Sequence, residues 1–283
     1  MLVDIVKWIK NYSEDNGIET LVIGVSGGID SAVTSTLCAL TKMRVITINM
    51  PIHQDKVLDS RSDKHIDWLL LNYSNVESNK IDLTESFDSF SSVFSDSNKD
   101  SLSLANSRAR LRMMTLYQIA STNKGIVVGT GNKVEDFGVG FYTKYGDGGV
   151  DISPIADLMK TEVWDLAKEI GIIQEIIDAP PTDGLWNDGR TDEEQLGAPY
   201  AEIEKAMIYA EENNLSEFSP TGDEKFDSVL NTYLYHRNKN LHKMKTIPIY
   251  YKDIEHVIHS NGPNSKKSKT FEEDVVYIIF FSF

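Results

Sequence analysis

Residues 24–33, GVSGGIDSAV, crowd three glycines, two serines and an aspartate between the apolar run ETLVIGV (19–25) and a segment of helical spacing (31–41). No other stretch limits the fold as strongly. A short apolar run ending in glycine reads as a buried strand, so strand, glycine turn and helix open a βα unit. Such a turn gathers backbone N–H groups and a helix N-terminus around one point, which suits an anion. Gly27 and Gly28 remove side chains where a phosphate would approach, and Ser26 and Ser31 add hydroxyl donors. Neither GxxxxGK[ST] nor GxGxxG is present. Asp30 is the unexpected member. Beside bound phosphates a carboxylate repels unless a cation lies between, so it points to Mg²⁺. The plainer alternative is a first-turn acid complementing the helix dipole.

The chain downstream repeats the alternation. RVITINM (44–50) reads as a second strand, and 55–71 as a helix with apolar Val57, Ile66, Leu69 and Leu70. VESNKIDL (76–83) is a weaker strand, and the serine- and aspartate-rich 84–102 suggests helix pieces and a loop. The spacing predicts a long helix over 103–123, with Leu104, Leu111, Met114 and Ile119 inward, then a strand in GIVVGTGN (125–132). Strands alternating with helices indicate an α/β fold, a doubly wound parallel sheet flanked by helices. Beyond 150 the pattern is helical: 158–172, 199–214 and 224–238, with TDEE (191–194) at capping-box spacing. The N-terminus is an amphipathic helix whose apolar face is Leu2, Ile5, Val6 and Ile9.

Composition removes several classes of function. The 43 acidic and 28 basic residues of the 283 leave a formal charge of −15. A nucleic-acid partner is excluded on that balance, because basic patches drive such binding. The single cysteine, Cys38, forms no internal disulfide and reads as a buried structural thiol. His256 and His259 lack companions for a zinc site. No apolar run reaches the roughly 18 residues of a membrane span, and the N-terminus lacks a basic signal-peptide region. The expected setting is cytoplasmic. After a lysine-bearing linker the tail ends in an apolar segment, 275–283, a strand or docking element by its pattern.

SGGIDS (26–31) resembles the pyrophosphate-binding loop of the ATP pyrophosphatases, the PP-loop group that cleaves ATP between the α- and β-phosphates. A second block, GTGNKVEDFGVGFYTKYGDGGVDISPIADLMKTEVWDLA (129–167), narrows the resemblance to ammonia-dependent NAD synthetases. SRARLRM (107–113), APPTDGLW (179–186), DEEQLG (192–197) and LHKM (241–244) match further blocks in the same order. The resemblance implies an adenine nucleotide alpha-hydrolase-like fold over 1–260, followed by a linker and tail over 261–283. It also implies a homodimer that amidates deamido-NAD through an adenylate. Carried over by position, Gly24, Val25, Ser26, Gly27, Gly28, Ile29, Asp30 and Ser31 would cradle ATP with Thr130, Lys160 and Thr182. Asp30 and Glu135 would hold Mg²⁺, and Asp30 and Lys160 would be catalytic. Arg110, Lys144, Asp151, His242 and Lys243 would contact deamido-NAD. Met244 stands where some relatives carry arginine, so no role falls on it.

Outside the resemblance these residues have plainer readings. Lys160 and Glu135 suit helix starts, Thr130 and Thr182 suit turns, Asp151 suits a strand start, and His242 and Lys243 suit a solvated end. Arg108, Arg110 and Arg112 share one predicted helix and point in different directions. The synthetase motifs begin at residue 24, which leaves no room before them for a glutaminase domain, so free ammonia, or ammonia passed from a separate protein, is the expected nitrogen donor. The site is expected to be completed across a two-fold interface, formed by the N-terminal apolar face and the helix at 103–123. Residues 182–197 are expected to close over ATP. The rival readings are another ATP pyrophosphatase, such as the synthetase half of a GMP synthetase, and a non-catalytic nucleotide sensor.

Overall fold

The chain forms four short strands, three from apolar runs buried on both faces and a weaker one, residues 76–80, that buries only Val76. These are β1 (Thr20–Gly24), β2 (Arg44–Asn49), β3 (Val76–Lys80) and β4 (Gly125–Val127). All pairings are parallel, in the order β3-β2-β1-β4. Successive side chains point to opposite faces of the sheet. Leu21, Ile23, Val45 and Ile126 therefore enter one core, while Val22, Ile46, Ile48 and Val127 enter the other. The structure, a computed structural model, describes residues 1–54, 56–182 and 191–250, with Leu58 described by its backbone only.

The first core is closed by α1 (Leu2–Asp15), α2 (Ile29–Leu40), α6 (Lys160–Glu169) and α7 (Gln174–Ile177). Leu69, Trp68 and Tyr73 join it from the end of α3 (Lys56–Asn72) and the turn after it. The opposite core is closed by α4 (Thr84–Ser92) and α5 (Ser101–Thr122). Helices on both faces make the sheet doubly wound, as the alternation predicts. A third core joins a π-helical turn (Lys133–Val139) to α8 (Asp192–Leu196), α9 (Tyr200–Glu212) and α10 (Glu224–Met244). Cys38 is fully buried, and burial pushes its thiol up to about 12.

Several expectations change in detail. Met114 is 60% exposed rather than inward, because Leu104, Leu111, Leu116 and Ile119 already fill the face of α5 toward the sheet. Val57 and Leu70 are also exposed, so Ile66 and Leu69 alone of the four named positions anchor α3. Ile9 is fully buried in the chain's own first core, and Leu2 and Ile5 pack against it while partly buried, so much of the apolar face expected between subunits is used within the chain. Residues 129–132 leave the strand as a turn, with one parallel bridge from Val128 to Ile152. Helix α10 continues to Met244 and carries His242 and Lys243 in its last turn. The capping box forms, Glu194 N–H donating to Thr191 Oγ at 3.2 Å and Thr191 N–H to Glu194 Oε2 at 2.7 Å.

The chain divides into two compact units, Met1–Met244 and Lys245–Phe283. Of the second, residues 245–250 are described and form neither helix nor strand. The segment 275–283, His256 and His259, and residues 183–190 of the expected closing segment lie outside the described residues.

Candidate active site

The strand order determines where a ligand can enter. From β1 the chain steps to β2 and β3 on one side, then crosses to β4 on the other. Ligands of open α/β sheets bind beyond the strand C-termini at such a reversal. Here the loop after β1 and the turn after β4 flank the reversal, and both line a cleft of about 620 Å³.

The glycine loop is held by its own serines. Ser26 N–H donates to Ser31 Oγ at 3.2 Å, Gly28 N–H donates to Ser26 Oγ at 3.2 Å, and Ser31 Oγ–H donates to Gly28 O at 2.9 Å. Gly27 has φ +84°, a left-handed conformation that side chains resist. Gly28 is the N-cap of α2 and supplies no side chain, so the helix N-terminus stays open. Asp30 sits in the first turn but does not cap it. Its Oδ2 accepts from Lys160 Nζ at 2.5 Å and its Oδ1 from Asn132 Nδ2 at 3.3 Å.

Lys160 opens α6 with its side chain only 2% exposed. It donates to Glu135 Oε1 at 2.8 Å as well, so one ammonium joins two carboxylates from separate elements. Asn132 caps the π-helical turn through Glu135 N–H at 3.0 Å, which aims Glu135 inward. Tyr200, from the start of α9, donates its hydroxyl to Glu135 Oε1 at 2.5 Å. Its ring also lies 5.1 Å from Lys160 Nζ.

These contacts oppose the effect of burial. Burial drives the Asp30 carboxyl above the usual carboxylate range, against the attraction of Lys160 and with help from neighbouring Glu135. For Glu135, burial is outweighed by Lys160 and by hydrogen bonds from Lys160, Tyr200 and Asn132, and its carboxyl falls. Burial alone would lower Lys160, but the two carboxylates raise it, so it remains charged. Burial and Glu135 push the Tyr200 phenol far up, which makes it a permanent donor.

The cleft gathers many of the expected site residues. Gly24, Val25, Ser26, Gly28, Ile29, Asp30, Ser31, Thr130, Glu135, Lys160, Thr182 and Lys243 all line it. Lys243 is drawn in by α10, which lies on the π-helical turn. Asn240 donates to Val139 O at 2.9 Å, and Lys243 donates to Gly140 O at 2.6 Å and Tyr142 O at 2.8 Å. One chain therefore brings Asp30 and Lys243 to the same cleft. His242, next along α10, is exposed and outside the lining.

The remaining expected contacts lie elsewhere. Arg110 is exposed, and its guanidinium meets Lys144 O at 3.4 Å; neither residue lines the cleft. The Asp151 carboxylate accepts from Val127 N–H at 2.7 Å and Tyr117 O–H at 3.0 Å, securing the end of β4. Among the three arginines it is Arg112 that enters the cleft, donating to Met50 O at 3.0 Å and Gln54 Oε1 at 3.2 Å. Burial, then repulsion from Arg108, lowers it to about 10. The sequence marks neither Tyr200 nor Asn132 as a site residue, and it leaves open which of Arg108, Arg110 and Arg112 contacts substrate. Asn132 stood inside the 129–167 block, whereas Tyr200 is 65 residues from Glu135 with no local signal.

The model of the family described as NAD synthase matches residues 1–247. The NH(3)-dependent NAD(+) synthetase of Methanosarcina acetivorans is 38% identical over 251 residues, covering 87% of this chain and 95% of that protein. Among solved structures, the NMN synthetase of Francisella tularensis superposes with a TM-score of 0.75 at 30% identity, covering 88% of this chain and 96% of that one. The NH3-dependent NAD synthetase of Campylobacter jejuni gives a TM-score of 0.69 at 27% identity, covering 88% and 97%. The family match ends at residue 247 and the compact unit that builds the cleft ends at Met244. The sequence that carries the family resemblance is thus the sequence that builds the site, and this chain belongs to the NAD synthase family.

Proposed function

We propose that the chain is an ammonia-dependent NAD synthetase. The nicotinate carboxylate of deamido-NAD attacks the α-phosphorus of ATP and pyrophosphate leaves; ammonia then attacks the acyl-adenylate and AMP leaves. The observation that carries this reading is Lys160 held between Asp30 and Glu135 beside an open glycine loop.

In this reading the residues position and neutralise charge, without a covalent intermediate on the protein. The N–H groups of the loop and of the α2 N-terminus receive the ATP phosphates. Lys160 keeps its proton and offsets charge growing on the leaving pyrophosphate. Asp30 and Glu135 approach one ammonium at 2.5 and 2.8 Å, so their oxygens already converge on a single positive centre. Mg²⁺ is usually held by one or two carboxylates with substrate phosphates completing its shell, and this donor set fits that use. Bound there, Mg²⁺ would supply further positive charge to the phosphates. Lys243 and the carbonyl-rich turn it secures face the same cleft and suit the second nucleotide. Arg110, Lys144, Asp151 and His242 remain family-based assignments, and a second copy of the chain over the outer face of α5 would bring new groups to Arg110. That face exposes Met114. We also assign the synthetase body to 1–260, the tail to 261–283, and the setting to the cytoplasm, where the nucleotides are found.

A second reading follows from the likeness to the Francisella tularensis NMN synthetase. The same adenylation and amidation would then act on nicotinate mononucleotide. The test supplies ATP, Mg²⁺ and ammonium with either deamido-NAD or the mononucleotide, and measures AMP, pyrophosphate and the amide. NAD formed with one AMP and one pyrophosphate supports the first reading. Amidation of the mononucleotide alone selects the second, and no amide from either removes both.

A further inference from the structure

Among the described residues five lysines and arginines line the cleft, and four have a use within the protein. Lys160 is paired, Arg112 and Lys243 donate to carbonyls, and Lys239 is exposed and lies over the Tyr235 ring. Arg61, on α3, differs. It is 8% exposed, it lines the cleft, and its Nε has no hydrogen-bond partner. Among the described residues no carboxylate pairs with it. Asp59, on the same helix and also in the lining, accepts from Asn49 Nδ2 and Lys80 Nζ at 2.8 Å each.

A guanidinium does not give up its proton in a protein, and an unpaired charge under burial is costly. Such a group is retained where a ligand supplies the anion. Its location narrows the choice. Ser62, the next residue, donates its hydroxyl to Val25 O at 2.6 Å, tying this part of α3 to the start of the glycine loop. Lys243, which also lines the cleft, is bonded instead to the turn under α10. A planar guanidinium beside a phosphate loop matches paired phosphate oxygens better than any other group ATP presents.

We propose that Arg61 contacts the pyrophosphate portion of ATP and stabilises it as it leaves. The inference rests on the ATP reading of the cleft. It adds a cation from outside the glycine loop and the 129–167 block, on a helix with no recognisable motif.

The test uses the full chain and the variants Arg61→Gln and Arg61→Lys, with calorimetric titration of inorganic pyrophosphate in Mg²⁺ and, separately, of deamido-NAD. Loss of a charge-assisted contact should weaken pyrophosphate binding of Arg61→Gln by about 10- to 100-fold. The KM for ATP should rise, and deamido-NAD affinity should be unchanged. Arg61→Lys keeps the charge and loses the fork, so it should weaken pyrophosphate several-fold with an unaltered melting temperature. Should Arg61→Gln fail to fold, Arg61→Lys decides. Unchanged pyrophosphate affinity, or a loss that falls on deamido-NAD instead, overturns the proposal. If the unaltered chain binds pyrophosphate but forms no amide, the synthetase reading fails and Arg61 is still judged by the pyrophosphate affinities.

Discussion

Replacing Tyr200 with phenylalanine removes one oxygen and leaves the ring. The ring is fully buried, edge-on to Trp164 at 6.0 Å and beneath the Lys160 ammonium. Packing is therefore preserved, and the lost interaction is the donation to Glu135 Oε1. A hydrogen bond to an ionised acceptor is worth about 1.5–3 kcal/mol. Glu135 keeps Lys160 and the Asn132 cap, so the lower part of that range applies, about 1.5–2 kcal/mol. At roughly 2–4 °C per kcal/mol for a body of this size, Tm should fall by about 3–8 °C. If Glu135 holds Mg²⁺ as proposed, activity should fall further than folding does, because partners that orient a metal-holding carboxylate typically matter by about 10- to 100-fold. Calorimetry of the ligand-free protein gives the first quantity; kcat/KM across a Mg²⁺ series gives the second. The expected pattern is a modest Tm loss, a raised Mg²⁺ requirement and unchanged secondary structure. A variant equal to the parent in both Tm and kcat/KM would refute the orienting role. A Tm loss with full activity at every Mg²⁺ concentration would reduce Tyr200 to a structural residue.

Asp30→Asn should fold normally, since Asp30 caps no helix, and lose most amidation; full activity by AMP release would remove the metal assignment. Mixing Asp30→Asn with Lys243→Ala should restore no activity, because one chain brings both residues to one cleft; recovery in the mixture would show a shared site. Gly140→Ala should destabilise the region around α10, since Gly140 has φ +70° and an added Cβ would overlap Asn240 Cβ; equal Tm values would contradict that packing. His65 should make stability fall with acid. Burial lowers its pKa to about 4 from 6.5, and its Nε2 meets Ser35 Oγ at 2.9 Å. The unfolded chain binds the proton first, so the contribution is complete above pH 6.5 and is lost as pH falls toward 4. It amounts to about 3 kcal/mol. Urea unfolding of His65→Gln, which lacks the group, should show a shallower acid limb.

Glu135 and Lys160 are nominated by the resemblance of their blocks to a family and otherwise read as helix starts, whereas Asp30 stands out in the chain because a carboxylate inside a glycine turn calls for a cation. The alternation of strands and helices was legible for a similar reason. Period and punctuation are local properties, and β1, α2 and β2 appear within a residue or two of their expected limits. Which neighbours meet is another kind of question. Arg110 and Arg112 are two positions apart on one helix and thus face nearly opposite ways, but only packing against the sheet directs Arg112 into the cleft. The same holds for Lys243 against His242 on α10, and for Met114, whose apolar character alone suggested an inward place. Tyr200 reaches Glu135 across 65 residues, and Arg61 comes to the glycine loop through its neighbour Ser62, bonded to Val25. By itself the sequence determined the fold class and the glycine turn, because these are written in spacing and turn chemistry, and through its resemblance to a family it nominated the charged residues proposed for the reaction. The tertiary structure decided which side chains orient and neutralise them, because burial and partnership depend on groups brought together from distant parts of the chain.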